Sequence, residues 1–432
     1  MQYQEALAYL YDKLPVFHRI GAKAIKPGLA NIEKLCAALE QPHTRFKTIH
    51  VAGTNGKGST SHMLAAIYQA AGYRVGLYTS PHLKSFTERI RINGQPIPDE
   101  EVAQFVTTFQ ALIEAVNPSF FEVTVAMAFD YFARKEVDLA IIEVGLGGRL
   151  DSTNILQPLL SVITNIGWDH MDLLGDTLDK IATEKAGIIK PQIPVIIGER
   201  QPETTAVFLK KAEEEQAPIY FAQDSFLCID KGILTGKRQV EVLYQSLNSE
   251  SLIALMLTID LLGQYQLLNL PAVLQSVFLL QQFPVSTEQL QNGLASVTRL
   301  TGLKGRWQVL RKNPYVVADT AHNKPGFESL LAMIPTIQHR QLHLVIGFVQ
   351  DKDVESVLAL LPTSAKYYLC QANTPRALAV HDLFIKAVAA GLQGQVYPDV
   401  NAALASAVAE ASAEDLVVVT GSTYVVAELQ AL

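Results

Sequence analysis

Apolar and polar positions along the chain follow two alternating periods. Near-continuous apolar runs fall at 46–52, 74–78, 137–144, 159–164 and 194–198, and runs of this length without polar alternation predict strands buried on both faces. Between them the apolar residues recur every three or four positions, which predicts helices. The helical stretches are Tyr3-Ala6-Leu7-Leu10-Tyr11, Ile32-Leu35-Cys36-Leu39, 63–68 ending at Ala71-Gly72, two helices over 99–133 broken at Pro118, and 178–189. Residues 88–94 predict a hairpin-like piece, because Asn93-Gly94 is a turn signal. From 217 to about 250 the pattern is irregular. Residues 252–280 read as helix interrupted at Asn269-Leu270-Pro271, 286–295 as one more helix, and 296–304 as a linker. A second alternation follows, with strands at 315–319, 342–347, 366–370, 395–397 and 416–420. Helices alternating with buried strands predict an α/β fold in which a mostly parallel sheet is covered on both faces. The boundary between a larger domain, 1–297, and a smaller doubly wound one, 298–432, falls in the linker.

Composition narrows this picture. A chain of 432 residues is long enough for two or three domains. A net charge of −7 argues against general nucleic-acid binding, which needs basic stripes. Cys36, Cys228 and Cys370 are sparse, odd in number and far apart, as suits a reducing compartment. The first residues carry no basic region followed by an apolar core, and no apolar run reaches the about 20 residues of a membrane helix. The expectation is a cytoplasmic protein that engages neither nucleic acid nor membrane.

The chemistry centres on His50-Val-Ala-Gly-Thr-Asn-Gly-Lys-Gly-Ser-Thr-Ser61. Strand, glycine loop and helix in that order cradle phosphate. Gly53, Gly56 and Gly58 can take positive φ, and Lys57 supplies a point charge. The strict pattern G-x-x-x-x-G-K-[ST] does not fit, since its first glycine would fall on Val51 and Gly58 follows the lysine. The shorter form still predicts a nucleotide triphosphate site, and so a P-loop-type ATPase domain. In parallel sheets ligands gather at the carboxyl ends of strands. Ser80, Glu143 and His170 lie at such ends and suit Mg²⁺ beside a phosphate loop, although imidazole is softer than Mg²⁺ prefers. Glu143 can also be read as a paired buried carboxylate, and His170 alone as a satisfied interior histidine. Gly145-Leu-Gly-Gly-Arg-Leu-Asp151 lacks a following helix, so it reads as a substrate-facing loop with Arg149 and Asp151. Lys185, on a helix, reads from its surroundings as a solvated lysine. In the second domain Arg306 precedes a strand that ends in Asp319 and is followed by His322; the three are candidates to hold a nucleotide across a cleft from the phosphate loop, with Gly347 and Gly421-Ser422 further strand-end loops.

Taken together, these motifs resemble the folylpolyglutamate synthase/dihydrofolate synthase family within the Mur-type ATP-dependent ligases. The motifs are His50–Thr60, Thr79-Ser-Pro-His82, Phe121-Glu122, Glu143–Asn154, Asp169-His170, Glu184-Lys-Ala-Gly-Ile188, Gly305-Arg306, Asp319-Thr-Ala-His-Asn323, Asp351-Lys-Asp353 and Thr420-Gly-Ser422, in order over nearly the whole chain. The resemblance implies a Rossmann-like glutamate-ligase domain at the C-terminus and an ATP-dependent addition of L-glutamate to a folate or to dihydropteroate through an acyl phosphate. It implies that Asn55, Gly56, Lys57, Gly58 and Ser59 hold the ATP phosphates, and Asn269, Arg306 and Asp319 the rest of the nucleotide. Ser80, Glu143 and His170 would bind Mg²⁺, expected as two ions. Lys185 would be carbamylated, which reverses the solvated reading. The pterin would lie near Lys26, Pro27, Gly28 and Leu29, near Ser119, Phe121 and Glu122, and near Leu150, Asp151 and Ser152. His322 and Ser422 are the candidates near the glutamate, and a monomer is expected.

Two positions depart from the family pattern. Lys324 occupies the usual proline position of Asp-x-Ala-His-Asn-Pro, with Pro325 one residue later, which bears on the loop holding His322. Lys26 stands where bifunctional members often carry an acidic residue, which bears on dihydropteroate as a substrate. The alternatives are a Mur-like ligase for a different carboxylate, and a nucleotide-driven switch. A switch would leave the loops at 145–151 and 320–323 without a role.

Overall fold

The apolar runs do pair into sheets, in a computed structural model that describes residues 1–24, 26, 28–245 and 252–432. The chain divides into two compact units, Met1–Asp260 with Gln266–Leu303, and Leu261–Tyr265 with Lys304–Leu432.

Among the described residues the first unit contains a sheet of β1 (Lys47–Ala52), β2 (Val75–Tyr78), β3 (Ile90–Ile92), β4 (Gln95–Pro96), β5 (Leu139–Glu143), β6 (Leu160–Ile163), β7 (Val195–Ile197) and β8 (Ile219–Phe221). Their order is β4-β3-β2-β5-β1-β6-β7-β8, parallel from β2 to β8 with an antiparallel hairpin at one edge. Asn93 and Gly94, both at positive φ, make that hairpin's turn, as the Asn-Gly pair predicts. Central β1 runs between β5 and β6, and Ile49 and Val51 are fully buried, each contributing roughly 1.5–3 kcal/mol of apolar burial. The helix Lys57–Ala70 that follows is buried from Ser59 to Tyr68, which explains why its sequence shows little polar face. The two helices of the 99–133 region are Asp99–Val116 and Phe120–Arg134.

Several expectations fail in this unit. The stretch read as irregular, 217–250, contains β8, β9 (Phe226–Leu234) and β10 (Lys237–Gln245). The first part of the expected helix 252–280 is β11 (Leu252–Ile259), and β9, β10 and β11 form a separate antiparallel sheet. The helix itself is Gln266–Leu279, and Pro271 lies inside it without ending it. The expected linker contains the short helix Val297–Thr301, which belongs to the first unit. The second unit takes up the chain again at Lys304.

In the second unit the sheet comprises β12 (Gln308–Arg311), β13 (Tyr315–Ala318), β14 (Leu342–Ile346), β15 (Lys366–Leu369), β16 (Gly394–Val396) and β17 (Leu416–Thr420), ordered β12-β13-β17-β14-β15-β16. Only β12 is antiparallel, and it is the strand that the sequence pattern does not mark. Among the described residues no helix is long and apolar enough to cross a membrane.

Candidate active site

The glycine loop leaves β1 at Ala52 and enters its helix at Lys57, with Gly56 as the N-cap. Gly53 (φ 144°) and Gly56 (φ 85°) adopt the backbone that glycine permits. Gly58 does not: it is the second residue of the helix and has no positive φ. Close packing adds a second demand. A Cβ at Gly53 would fall 1.8 Å from Thr164 Oγ1, and one at Gly56 would fall 2.1 Å from Asn269 Oδ1. The loop is also stitched to the end of β6. Asn55 N donates to Asn165 Oδ1 at 3.0 Å, Thr164 Oγ1 donates to the Asn55 carbonyl at 2.5 Å, and Gly167 N donates to Thr54 Oγ1 at 2.9 Å. No side chain caps this helix, so its first-turn N–H groups form an anion-binding end.

Two lysines crowd the loop. Lys57 Nζ donates to the carbonyls of Gly53 (2.9 Å) and Thr54 (3.0 Å), and Lys185 Nζ donates to the same Gly53 carbonyl at 2.9 Å. Lys185 is only 4 % exposed, so the solvated reading from the sequence is overturned. Burial, together with the charge of Lys57, pushes its pKa down to about 7 against the pull of Asp169 and Asp151. The cause of its burial is a close crossing. A Cβ at Gly148 would meet the Glu184 carbonyl at 2.8 Å, and one at Gly187 would meet Arg149 Cα at 2.4 Å. The loop after β5 thus lies directly on the helix Leu178–Ala186 that carries Lys185. Arg149 itself is turned outward in an exposed ion pair with Glu184 at 2.8 Å.

Two of the metal candidates, Ser80 and Glu143, meet across neighbouring strands. β2 and β5 are neighbours in the sheet, and Ser80 N donates to Glu143 Oε2 at 3.2 Å. Glu143 is buried, and the donor set of hydroxyl and carboxylate suits a hard, hydrated cation. β6 lies on the far side of β1, and His170 arises well beyond its end, at positive φ, facing Phe17 at 6.0 Å between rings with Asp169 Oδ2 3.9 Å from Nε2. Among the described residues no cluster of three or more His, Cys, Asp or Glu is arranged to hold a metal ion.

Several substrate candidates prove to shape their own loops. Asp151 is buried and accepts from Leu146 N (2.8 Å), Thr153 N (3.0 Å) and Thr153 Oγ1 (2.5 Å). Because the Thr153 hydroxyl donates to Asp151, its oxygen accepts from His50 Nε2 at 2.8 Å, so His50 ties β1 to this loop. Burial holds the His50 pKa down to about 3, so the ring is neutral. Glu122 closes a capping box with Ser119, accepting from Ser119 N at 2.6 Å. Phe121 stands over Gly145, where a Cβ would lie 2.3 Å from its ring. Ser152 is buried and Leu150 is exposed. Lys26 Nζ donates to the Asn117 carbonyl, Gly28 has φ 85°, and Leu29 caps the helix Ala30–Ala38. Pro27 lies outside the described residues.

Asn269, on the helix Gln266–Leu279, meets Gly56 across the loop, and its Nδ2 donates to Gln266 Oε1 at 2.8 Å. Gln266 in turn donates to Ser59 Oγ at 3.1 Å. Gln266 was not singled out in the sequence; the only signal for it is its place three residues before Asn269, on the same helix face.

In the second unit Asp319 follows β13 and is buried. Its Oδ2 accepts from Tyr265 OH (2.5 Å) and Trp307 N (2.8 Å), and its Oδ1 from Ala321 N (3.0 Å). Burial raises its pKa, against the pull of those donors and of Arg306. Arg306 donates to Thr320 Oγ1 and to the Gly305 carbonyl at 3.1 Å. His322 Nδ1 lies 3.0 Å from the Thr320 carbonyl. Lys324 and Pro325 form the first turn of a helix capped by Asn323, so the shifted proline still begins that helix. The Ser422 hydroxyl caps the helix Thr423–Glu428, accepting from Val425 N at 3.1 Å.

Comparison with known proteins bears on this arrangement. Residues 51–277 match the family described as Mur ligase middle domain, and residues 305–423 match Mur ligase, glutamate ligase domain. The dihydrofolate synthase/folylpolyglutamate synthase of Bacillus subtilis is 33 % identical over 440 residues, covering 99 % of this chain and 98 % of the relative. The structure of E. coli FolC in complex with DHPP and ADP superposes with a TM-score of 0.85 at 31 % identity, covering 99 % of this chain and 96 % of that one. A bifunctional folylpolyglutamate synthase/dihydrofolate synthase with Mn, AMPPNP and L-glutamate bound superposes with a TM-score of 0.83 at 29 % identity, covering 99 % and 97 %.

Proposed function

This chain belongs to the folylpolyglutamate synthase/dihydrofolate synthase family, and from that premise we propose how its own residues serve the reaction. The enzyme is an ATP-dependent ligase that joins L-glutamate to a folate and releases ADP and phosphate. A carboxylate oxygen of the acceptor attacks the γ-phosphorus and ADP leaves. The glutamate amine then attacks the acyl carbon, loses its proton, and phosphate leaves. Asn55, Gly56, Lys57, Gly58 and Ser59 hold the phosphates, and Lys57 offsets the charge that develops during transfer. Asn269, Arg306 and Asp319 hold the rest of the nucleotide. Ser80, Glu143 and His170 would hold Mg²⁺, as two ions, which would neutralise the phosphate oxygens. Lys26, Pro27, Gly28 and Leu29 with Phe121, Glu122, Leu150, Asp151 and Ser152 surround the pterin, in most cases by shaping loops. His322 and Ser422 lie toward the glutamate. The enzyme works as a monomer in the cytoplasm.

The observation that carries this reading is the pair of lysines on the Gly53 carbonyl at an uncapped helix end. Two cations on one carbonyl call for an anion. Lys185 meets that demand through modification, since an amine with a pKa near 7 is substantially neutral at physiological pH and adds CO₂ to give a carbamate and a proton. The carbamate would replace a cation with two anionic oxygens able to bind metal or orient phosphate. Intact mass measurement in bicarbonate buffer should show one added carbamate on Lys185; an unmodified lysine in active, metal-loaded enzyme would remove that role.

The deciding experiment is phosphate release from ATP with Mg²⁺ and L-glutamate, with tetrahydrofolate and dihydropteroate compared as acceptors. Turnover with tetrahydrofolate is expected. Turnover with dihydropteroate as well makes the enzyme bifunctional despite Lys26, and silence with both acceptors points to a Mur-like ligase for another carboxylate.

A further inference from the structure

Between β11 and the helix Gln266–Leu279 runs the five-residue segment Leu261–Tyr265. It belongs to the second unit although the chain on both sides of it belongs to the first. Leu262 packs into the second unit's core, and Gln264 N donates to Met333 Sδ at 3.4 Å. Its last residue, Tyr265, places its hydroxyl 2.5 Å from Asp319 Oδ2. Gly263 makes room for this: a Cβ there would stand 2.5 Å from Tyr265 Cζ and 2.9 Å from its hydroxyl. The other donor to Oδ2 is the backbone of Trp307, held at φ 46° with its side chain buried. A bulky residue in that region carries strain of order 1–3 kcal/mol. The fold thus commits a strained tryptophan and a dedicated phenol to one carboxylate oxygen.

A carboxylate oxygen has two lone pairs, and the Tyr265 and Trp307 donors fill those of Oδ2. Among the described residues Oδ1 receives only Ala321 N, so one lone pair there faces other partners. We infer that Tyr265 is a positioning residue for nucleotide binding. Its hydroxyl locks Oδ2 so that Oδ1 is presented, in one orientation, to a hydroxyl of the nucleotide's sugar. The residue after Tyr265 is Gln266, the first residue of the helix that carries Asn269. This inference rests on the assignment of Asp319 to the nucleotide.

Steady-state kinetics at varied ATP, with saturating folate and glutamate, test it in four proteins: the native enzyme, Tyr265→Phe, Asp319→Asn and the double variant. Tyr265→Phe keeps the ring and removes only the hydroxyl. It is expected to raise KM for ATP about tenfold, the factor one hydrogen bond to a charged group carries, with kcat within about twofold and KM for glutamate unchanged. In the Asp319→Asn background the same change should have little further effect. A KM for ATP unaffected by Tyr265→Phe, or an effect fully additive to Asp319→Asn, overturns the inference while leaving the nucleotide assignment intact. If Asp319→Asn itself leaves KM for ATP unchanged, the assignment falls and the inference with it. Partial unfolding would lower kcat without moving KM, so the split separates positioning from stability.

Discussion

Lys185 and Asp319 are each a buried ionisable group near a strand-end loop, one in each unit, and they are treated in opposite ways. Burial disfavours charge on both, pushing the lysine pKa down and the carboxylate pKa up. Around Asp319 the fold supplies three hydrogen-bond donors, which hold the carboxylate in one orientation. Around Lys185 it supplies a second cation, Lys57, and one carbonyl that both lysines share. The carboxylate is thus fixed in orientation, with one lone pair of Oδ1 left open among the described residues. The lysine pKa is lowered to about 7 with no carboxylate hydrogen-bonded to its Nζ among the described residues.

This contrast can be broken most severely at the lysine. Lys185→Met should lower phosphate release by about 10²–10³-fold, the scale of losing a preorganised electrostatic group, while the protein remains folded because a buried cation has been exchanged for an apolar chain. Retained activity would reduce Lys185 to a packing residue. Removing the carboxylate should act on stability as well as on turnover. Asp319→Ala orphans the Tyr265 hydroxyl and the Trp307 and Ala321 amides, and about 3 kcal/mol of stability should be lost, read as a lower thermal midpoint.

The pH dependence of stability sharpens the comparison. Lys185 has a pKa of about 7 when folded and 10.5 as the ordinary value. Between those values the unfolded chain holds a proton that the native protein has released, so this group makes stability rise with pH across that window. Below about pH 7 both states are protonated, and the cost of the buried cation is present in full. Thermal midpoints in CO₂-free buffer at pH 6.5 and pH 9 should therefore differ in favour of the higher pH, and Lys185→Met should remove that part of the difference. The smallest effect belongs to a solvated charge. Arg149→Ala breaks the exposed pair with Glu184, next to Lys185, and should change stability by less than about 1 kcal/mol.

The sequence marks most strands of the two parallel sheets because strands buried on both faces are apolar throughout. It fails where pairing decides the structure. Leu252–Ile259 contains good helix formers and becomes a strand through its antiparallel register with β10. One missed signal was present. Thr235 and Gly236, both at positive φ, are a two-residue turn joining β9 and β10, and Val240 and Val242 alternate inward along β10. Pro271 sits in the second turn of a helix that tertiary burial sustains. The glycine loop is legible from local spacing, as are Ser80 and Glu143 from strand ends. The burial of Lys185 is not, because it depends on Gly148 and Gly187, which let a distant loop lie against that helix. Asn269 follows from the family resemblance alone, since its encounter with Gly56 spans more than two hundred residues.

The passage of Leu261–Tyr265 into the second unit has a consequence for recombination. The chain changes units at three places, after Asp260, after Tyr265 and after Leu303. A crossover at Lys304 that grafts the C-terminal portion of a relative onto this chain would pair a foreign carboxylate with the resident Tyr265. Shuffling of the two halves among homologues is thereby restricted to partners whose tyrosine segment and acidic loop already match, so the segments 261–265 and 304–432 form one heritable block interrupted by part of another.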